Sequence, residues 1–386
     1  MSTVQGWQMK AYVAAESAFD AGPGSGATAG IFASSDAVLH RGLDMGPEQK
    51  QRTRHRQDRT GYRSQSLEMV HGAMDPVDAE LVCSLAPSGT AGTPPDTHLL
   101  LKNAYGAYSN TAGTSDSYTV GADPSDSLAV MFCDPGASIA MYLFGAVVTE
   151  RSVQIGEEEA VDTFSLRAAR RASIAEDTLG AAVADGSTTS ITVSHPQRFV
   201  NAHGCVIKIE DEEIRLSTDP DDFNYTSGVF AGVTRGHNST TAAAHADSTA
   251  VYPSVPSSST TVGAPIAEHD VTASFGGTAW VIYSGQIQLS TGRDLRRLER
   301  GSKWTQGMVT KRLEVSASLE GIIDWASSDS DLLGDAVQNA SGAVSVVLGS
   351  TAGSIDTITL ADAEIMVATP GVGEDDDPIT AAIEFT

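Results

Sequence analysis

A chain of 386 residues with a formal net charge of −25 is long enough to bury two or three cores. Its charge excludes a general nucleic-acid binder, because phosphate contacts need concentrated Lys and Arg. Hydrophobic residues at 41% and charged residues at 19%, with abundant small residues and no long helical periodicity, predict strands joined by turns. Cys83, Cys133 and Cys205 are well separated with no CxxC pair. That argues against a disulfide framework or zinc knuckle and predicts a reducing compartment. No charged-then-apolar leader is recognised and no apolar run approaches the ~20 residues of a membrane span, so folding in the cytoplasm is the expectation.

In chain order, residues 1–36 read as an N-terminal arm. Trp7 to Ala14 can form a strand with Trp7, Met9 and Ala11 on one side. Gly22-Pro23-Gly24-Ser25-Gly26 breaks it. A first β unit is expected over 37–175. It opens on Ala37 to His40 and continues into a basic run, Lys50, Arg52, Arg54, Arg56, Arg59 and Arg63. Strands are predicted over Ser64 to His71 and Ala79 to Leu85. Thr93-Pro94-Pro95-Asp96 then stops the chain and starts a short helix over His98 to Ala104, with Asp96 or Thr97 as N-cap. Ser127 to Phe132 and Ala140 to Val148 are the strongest strands; the near-continuous apolar content of the latter predicts a central strand covered on both faces.

The pattern changes over 176–253, where short strands at Ser190 to Val193, Cys205 to Ile209, Glu213 to Leu216 and Gly228 to Val233 are bounded by Gly, Asp, Asn or Pro. This stretch reads as a small all-β domain inserted between two larger units. Residues 254–386 are expected to form a linker, Pro253 to Ser259, and a second β unit. That unit holds Thr278 to Tyr283, Gly285 to Ser290, a second basic run (Arg293, Arg296, Arg297, Arg300, Lys303, Lys311, Arg312), then Leu313 to Leu319, Ala343 to Leu348, Ile355 to Leu360 and Ala382 to Phe385. Leu313, Val315, Ala317 and Leu319 alternate with Glu314, Ser316 and Ser318, the two-residue period of a half-buried strand.

The two large units look like copies of one pattern. The first copy runs from about Ala37 to Ala169, the second from about Ala279 to Thr386. Each has an opening strand, a basic stretch and a small helix (His98 to Ala104; Asp331 to Ala336). Each closes on a similar acidic tail, Gln154 to Phe164 against Gly371 to Thr380. The basic runs are either solvated loops or contact loops that meet an acidic partner such as another copy of the chain.

Little in the sequence carries chemistry. No phosphate loop, dinucleotide fingerprint, HExxH helix or GxSxG elbow is present, so no catalytic residue and no cofactor is assigned. His195, His203, His237 and His245 cluster in the insert without metal-ligand spacing. Asp219 to Asp222 and Glu374 to Pro378 are acidic turns without EF-hand spacing. An enzyme is therefore not expected.

Three segments carry a family resemblance. Asp58-Arg59-Thr60-Gly61-Tyr62-Arg63-Ser64-Gln65-Ser66-Leu67-Glu68 resembles the exit of a long loop into a core strand. Gly92 to Gly106, with Thr93-Pro94-Pro95-Asp96 leading Leu99-Leu100-Leu101, resembles a proline-led helix ending in Gly. Gly232-Val233-Thr234-Arg235-Gly236 and Thr240 to His245 are similar to a small β domain that recurs in phage tail proteins. Together they resemble a two-domain siphophage tail tube protein, a major tail protein, from about Ala37 onward.

The resemblance implies a mainly β fold of two tandem β-sandwich or flattened-barrel units, each with a short helix, and the insert facing outward as decoration. It implies self-assembly into trimeric pseudo-hexameric or hexameric rings, stacked into a tube that conducts DNA without specific binding and without a membrane. Further implied partners are a tape measure in the lumen, a terminator and a distal tail protein, and the implied location is the virion tail, assembled in the host cytoplasm. The contact loops would be Lys50, Arg52, Arg54, Arg56, Arg59 and Arg63, with Arg293, Arg296, Arg297, Arg300 and Lys303. Another tail component of related fold, or a secreted carbohydrate-binding β-repeat protein, stands as the alternative.

Overall fold

The computed structural model describes residues 9–20, 30–45, 51–55, 69–121, 126–134, 136, 138–156, 159–257, 263–266, 271–295, 307–322, 341–350, 353–371 and 380–385. The fold is mainly β, with one α-helix and several sheets, none closed, among these residues.

The first unit contains β1 (Lys10–Ala15), β2 (Ala37–Val38), β3 (Gly42–Asp44), β4 (Gln51–His55), β5 (Met69–Met74), β6 (Val77–Ser84), α1 (His98–Tyr105), β7 (Gly106–Thr111), β8 (Ser115–Val120), β9 (Leu128–Cys133), β10 (Ile139–Ile155), β11 (Val161–Ala168) and β12 (Arg170–Ala175). The insert contains β13 (Asp177–Thr178), β14 (Ile191–Thr192), β15 (Phe199–Val200), β16 (Val206–Ile209), β17 (Glu212–Arg215), β18 (Phe223–Asn224), β19 (Val229–Phe230), β20 (Thr234–His237) and β21 (Ala250–Pro253). The second unit contains β22 (Val271–Phe275), β23 (Thr278–Ser290), β24 (Arg293–Leu295), β25 (Met308–Thr310), β26 (Glu314–Ile322), β27 (Ser341–Leu348), β28 (Asp356–Gly371) and β29 (Thr380–Phe385).

Apart from β12, which pairs with β10 in the first, the strands pair in the same order in both large units. In the first, β1 pairs with β2 and β9, β9 with β10, β10 with β11, β11 with β6, and β6 with β3. In the second, β22 pairs with β23 and β27, β27 with β28, β28 with β29, β29 with β26, and β26 with β23. A two-stranded hairpin, β4–β5 or β24–β25, leaves each unit at the same point of the chain. The ladders through β10 and β28 match to the residue. The ladder of β10 shifts between Leu143 and Ala146 and again between Val148 and Glu150. The ladder of β28 shifts between Leu360 and Ala363 and again between Ile365 and Val367. A bulge adds local twist and re-aims the strand, and here it lets one long strand serve two ladders. Gly145, in the first bulge, has φ +61, and a side chain there would press on Ala169 and Phe19.

This correspondence moves the start of the first copy. Lys10–Ala15, expected as part of an arm, pairs with β9 over six positions and is the counterpart of β22. Tyr12 and Val13 are buried on opposite faces of β1, in separate cores. The helix has Thr97 at its N-cap without a side-chain bond. Asp96 accepts instead from the Leu39 amide at 2.7 Å, and burial raises its carboxyl to about 6 against the bonds it receives.

One face of β1, β9 and β10 packs with β6, β11 and α1 in a common core: Val13, Leu128, Val130, Phe132 and Leu143 against Leu81, Leu100, Phe164 and Leu166. The opposite face carries Tyr12, Met131, Tyr142 and Phe144, in one cluster with Leu179, Ile191, Phe199, Ile207 and Phe230 of the insert. The insert is continuous with the sheet, since β15 pairs with β12. It is not a detachable decoration. Sequence alternation could not show this, because a strand apolar on both faces does not say what covers each face.

Candidate assembly interface

The two units meet edge to edge. β10 of the first unit pairs antiparallel with β23 of the second over six positions, from Glu150↔Ser290 to Ile155↔Gly285. The resulting run of eight strands reads β28-β29-β26-β23-β10-β11-β6-β3, the same four-strand order twice. On its solvent face, Gln286 Nε2 donates to Ser152 Oγ and Gln288 Nε2 to Glu150 Oε1, each at 2.8 Å across the joint. On its buried face the cores interlock. Leu289 joins the first unit's cluster, while Val153 and Ile155 join the second's.

Further contacts secure this joint. Thr291 donates its hydroxyl to the Val148 carbonyl at 2.7 Å and its amide to the Thr149 carbonyl at 3.0 Å. Leu295 and Met308 of the β24–β25 hairpin pack with Val147 and Ala169. Arg167 Nη1 lies 3.1 Å from Asp294 Oδ1. Beneath the sheet, buried Arg151 forms a two-pronged pair with Asp162 (Nε to Oδ1 3.0 Å, Nη2 to Oδ2 2.8 Å), donates to Tyr105 Oη at 2.8 Å and lies 3.5 Å from Asp356 of the second unit. A planar guanidinium suits such a multiple site.

The basic runs lie at equivalent hairpins. Arg52 and Arg54 fall on β4, and Arg293 on β24. Lys50, Arg56, Arg59, Arg63, Arg296, Arg297, Arg300 and Lys303 lie outside the described residues. Arg293 differs from expectation. It is 5% exposed and donates from Nη1 to Asn103 Oδ1 of α1 at 3.0 Å. It therefore joins the two units of one chain and is not offered to another. Asn103 also accepts from the Val148 amide at 2.9 Å and donates to the Asp126 carbonyl at 2.9 Å. No sequence pattern marks Arg151, Asn103 or Thr291, because their partners are distant in the chain.

Several buried polar groups of the insert bond one another. Glu212 accepts from Arg235 Nε and Nη2 at 2.7 Å each, from the Gly236 and Ala243 amides, and contacts His245 Nε2 at 2.8 Å. Burial raises its carboxyl, but these bonds outweigh it and hold the group at about 2. His195 contacts Asp177 at 2.7 Å, and burial lowers His203 to about 3. Among the described residues no three His, Cys, Asp or Glu side chains gather as a metal site. Asp219 accepts from the Asp221 amide, which makes that turn self-capped; the turn at Glu374 to Pro378 lies outside the described residues. No helix of the described residues is long and apolar enough to cross a membrane. No protein-family model and no curated protein matches this chain.

Proposed function

We propose that this chain is the structural subunit of a hollow tube, a phage tail tube protein whose rings stack into a conduit for DNA. The observation that carries this reading is the β10–β23 joint. The eight-stranded run ends on β3 and on the C-terminal part of β28, which are the counterparts of β23 and β10. Each chain thus presents, at its two ends, the halves of a joint that it already makes once internally. Repeating that joint between chains is a heterologous contact, which closes into a ring if the rotation allows. Closure removes the exposed edges that otherwise invite uncontrolled pairing.

Because both units contribute four strands to the same run, three chains suffice for a pseudo-sixfold ring, and six chains with one lining unit each lose their motive. The solvent face of the run becomes the lumen. It carries Asp78, Glu80, Glu150, Glu314, Glu320 and Glu384 with Ser, Thr and Gln between. Among the described residues its cation is Arg167, already beside Asp78 and Asp294. Such a surface repels a polyanion and lets it slide. A terminator or distal tail protein would share the ring but stop at one.

Negative-stain microscopy of the concentrated protein tests the reading. Stacked rings with a central channel are the expected image; isolated single rings favour the terminator alternative, and particles that never exceed one chain overturn the proposal.

A further inference from the structure

The two joints of the proposed ring are built unequally, and we infer that the joint between chains is the weaker one, so that ring closure is reversible and controlled while the joint within a chain is permanent. This inference rests on the tube reading and on the matched register of the two units.

The register assigns each residue of the internal joint a counterpart at the free ends. On the β10 side, Glu150, Arg151, Ser152, Val153 and Gln154 correspond to Val367, Ala368, Thr369, Pro370 and Gly371. On the β23 side, Gly285, Gln286 and Ile287 correspond to Leu43, Asp44 and Met45. Below the sheet, Val147 and Asp162 correspond to Glu364 and Ala381.

Read contact by contact, the internal devices are missing from the chain-to-chain joint. Gln286 beside Ser152 becomes Asp44 beside Thr369. Val147, which packs with Leu295 at the internal joint, becomes Glu364, an exposed carboxylate. The Arg151–Asp162 pair becomes Ala368 with Ala381. β28 also carries Pro370, which lacks an N–H for one ladder position, and proline within sheets is typical of edges that must not pair indiscriminately. By residue type, the joint between chains keeps the backbone ladder without the ion pair that the internal joint buries beneath it.

The direct test compares the two joints in one protein. A protease site is placed between Ser257 and Gly263, the full chain is cut there, and the cut and intact proteins are diluted in parallel while mass is followed by mass photometry. The two fragments are expected to stay together to a concentration at least about a hundredfold below that at which intact chains associate, each tenfold being about 1.4 kcal/mol. Fragments that separate at or above the concentration of chain association overturn the inference. The substitution Glu364→Val, which copies Val147 into the outer joint, is expected to lower the concentration for chain association about tenfold; an unmoved or raised concentration also counts against it. Intact chains that form no ring at any concentration, while the fragments hold together, overturn the tube reading itself and not the strength of the internal joint.

Discussion

The two units share one ladder register and differ on one face. Toward the α1 side the counterparts keep their character: Val13, Val130 and Phe132 match Phe275, Val344 and Val346, and all are buried. On the opposite face Tyr12, Met131, Tyr142 and Phe144, all buried, correspond to Ser274, Ser345, Thr359 and Ala361, which are half-buried or exposed. The first unit has an insert over that face and the second has none among the described residues. A sheet face takes its residue types from what covers it, so the polarity difference records where the insert sits. The same holds for the bulge. In the first unit Gly145 donates its amide to buried Glu16 at 3.1 Å, and Ser127 donates its hydroxyl to the same carboxylate. The second unit has exposed Asp362 at the matching point.

The largest test of this contrast is removal of the insert. Deleting residues 176–253 behind a short bridge is expected to expose Tyr12, Met131, Tyr142 and Phe144 together, with loss of cooperative unfolding and strong binding of a hydrophobic dye. A soluble, cooperatively folded deletion protein would break the claim that the insert belongs to the first unit's core. Milder versions copy the second unit's residues into the first. Phe144→Ala alone is expected to cost about 3–5 kcal/mol in denaturant unfolding, since the ring also stacks on Tyr142 and lies under Arg170.

Next in size is the buried pair at the joint. Arg151→Ala strands Asp162 in the core and is expected to cost about 3–5 kcal/mol, whereas Ala368→Gly, at the matching position of the second unit, should cost at most about 1 kcal/mol. Equal losses would contradict the asymmetry.

A smaller effect belongs to the bulge. Burial raises the Glu16 carboxyl to about 7 against the hydrogen bonds it receives. A carboxyl whose folded value lies above its unfolded one favours the fold at low pH, and that contribution is lost as pH rises from about 4.5 through about 7. Glu16→Gln is therefore expected to gain on the order of 2 kcal/mol relative to the parent at pH 8 and little at pH 4. The smallest effect is on the solvent face. Gln288→Ala removes the hydrogen bond that its side-chain amide donates to Glu150 and should cost roughly 0.5–1 kcal/mol, read as a small shift of the denaturant midpoint.

Much of this was legible in the sequence, for reasons that also explain the gaps. Leu313 to Leu319 alternates because one side meets water, and β26 lies there. The insert stood out by its short, turn-bounded strands, and β13 to β21 fill those limits. Gln154 and Gly371, where the matched tails begin, hold corresponding ladder positions; residues 372–379 lie outside the described residues. The strand at β1 is legible, but its place in the first unit is not, because its partner β9 lies more than a hundred residues further along and a strand buried on both faces has no polar side to count. The contact residues were legible only as charge. Arg293 was picked for its place in a basic run, yet its fate depends on Asn103, which nothing local identifies. The helix expected at Asp331 to Ala336 lies outside the described residues.

The central claim, that the free ends repeat the internal joint, predicts which residues of two chains lie opposite. Gln154 faces Gln286 within the chain, so Gly371 of one chain should face Asp44 of the next. Directly opposed strand residues fall within disulfide reach, and the native Cys83, Cys133 and Cys205 are buried. Oxidising the Asp44→Cys, Gly371→Cys protein under assembly conditions should therefore link chains into a ladder that ends at a closed trimer on denaturing gels. The absence of linked chains, or linkage within a single chain, would contradict the account.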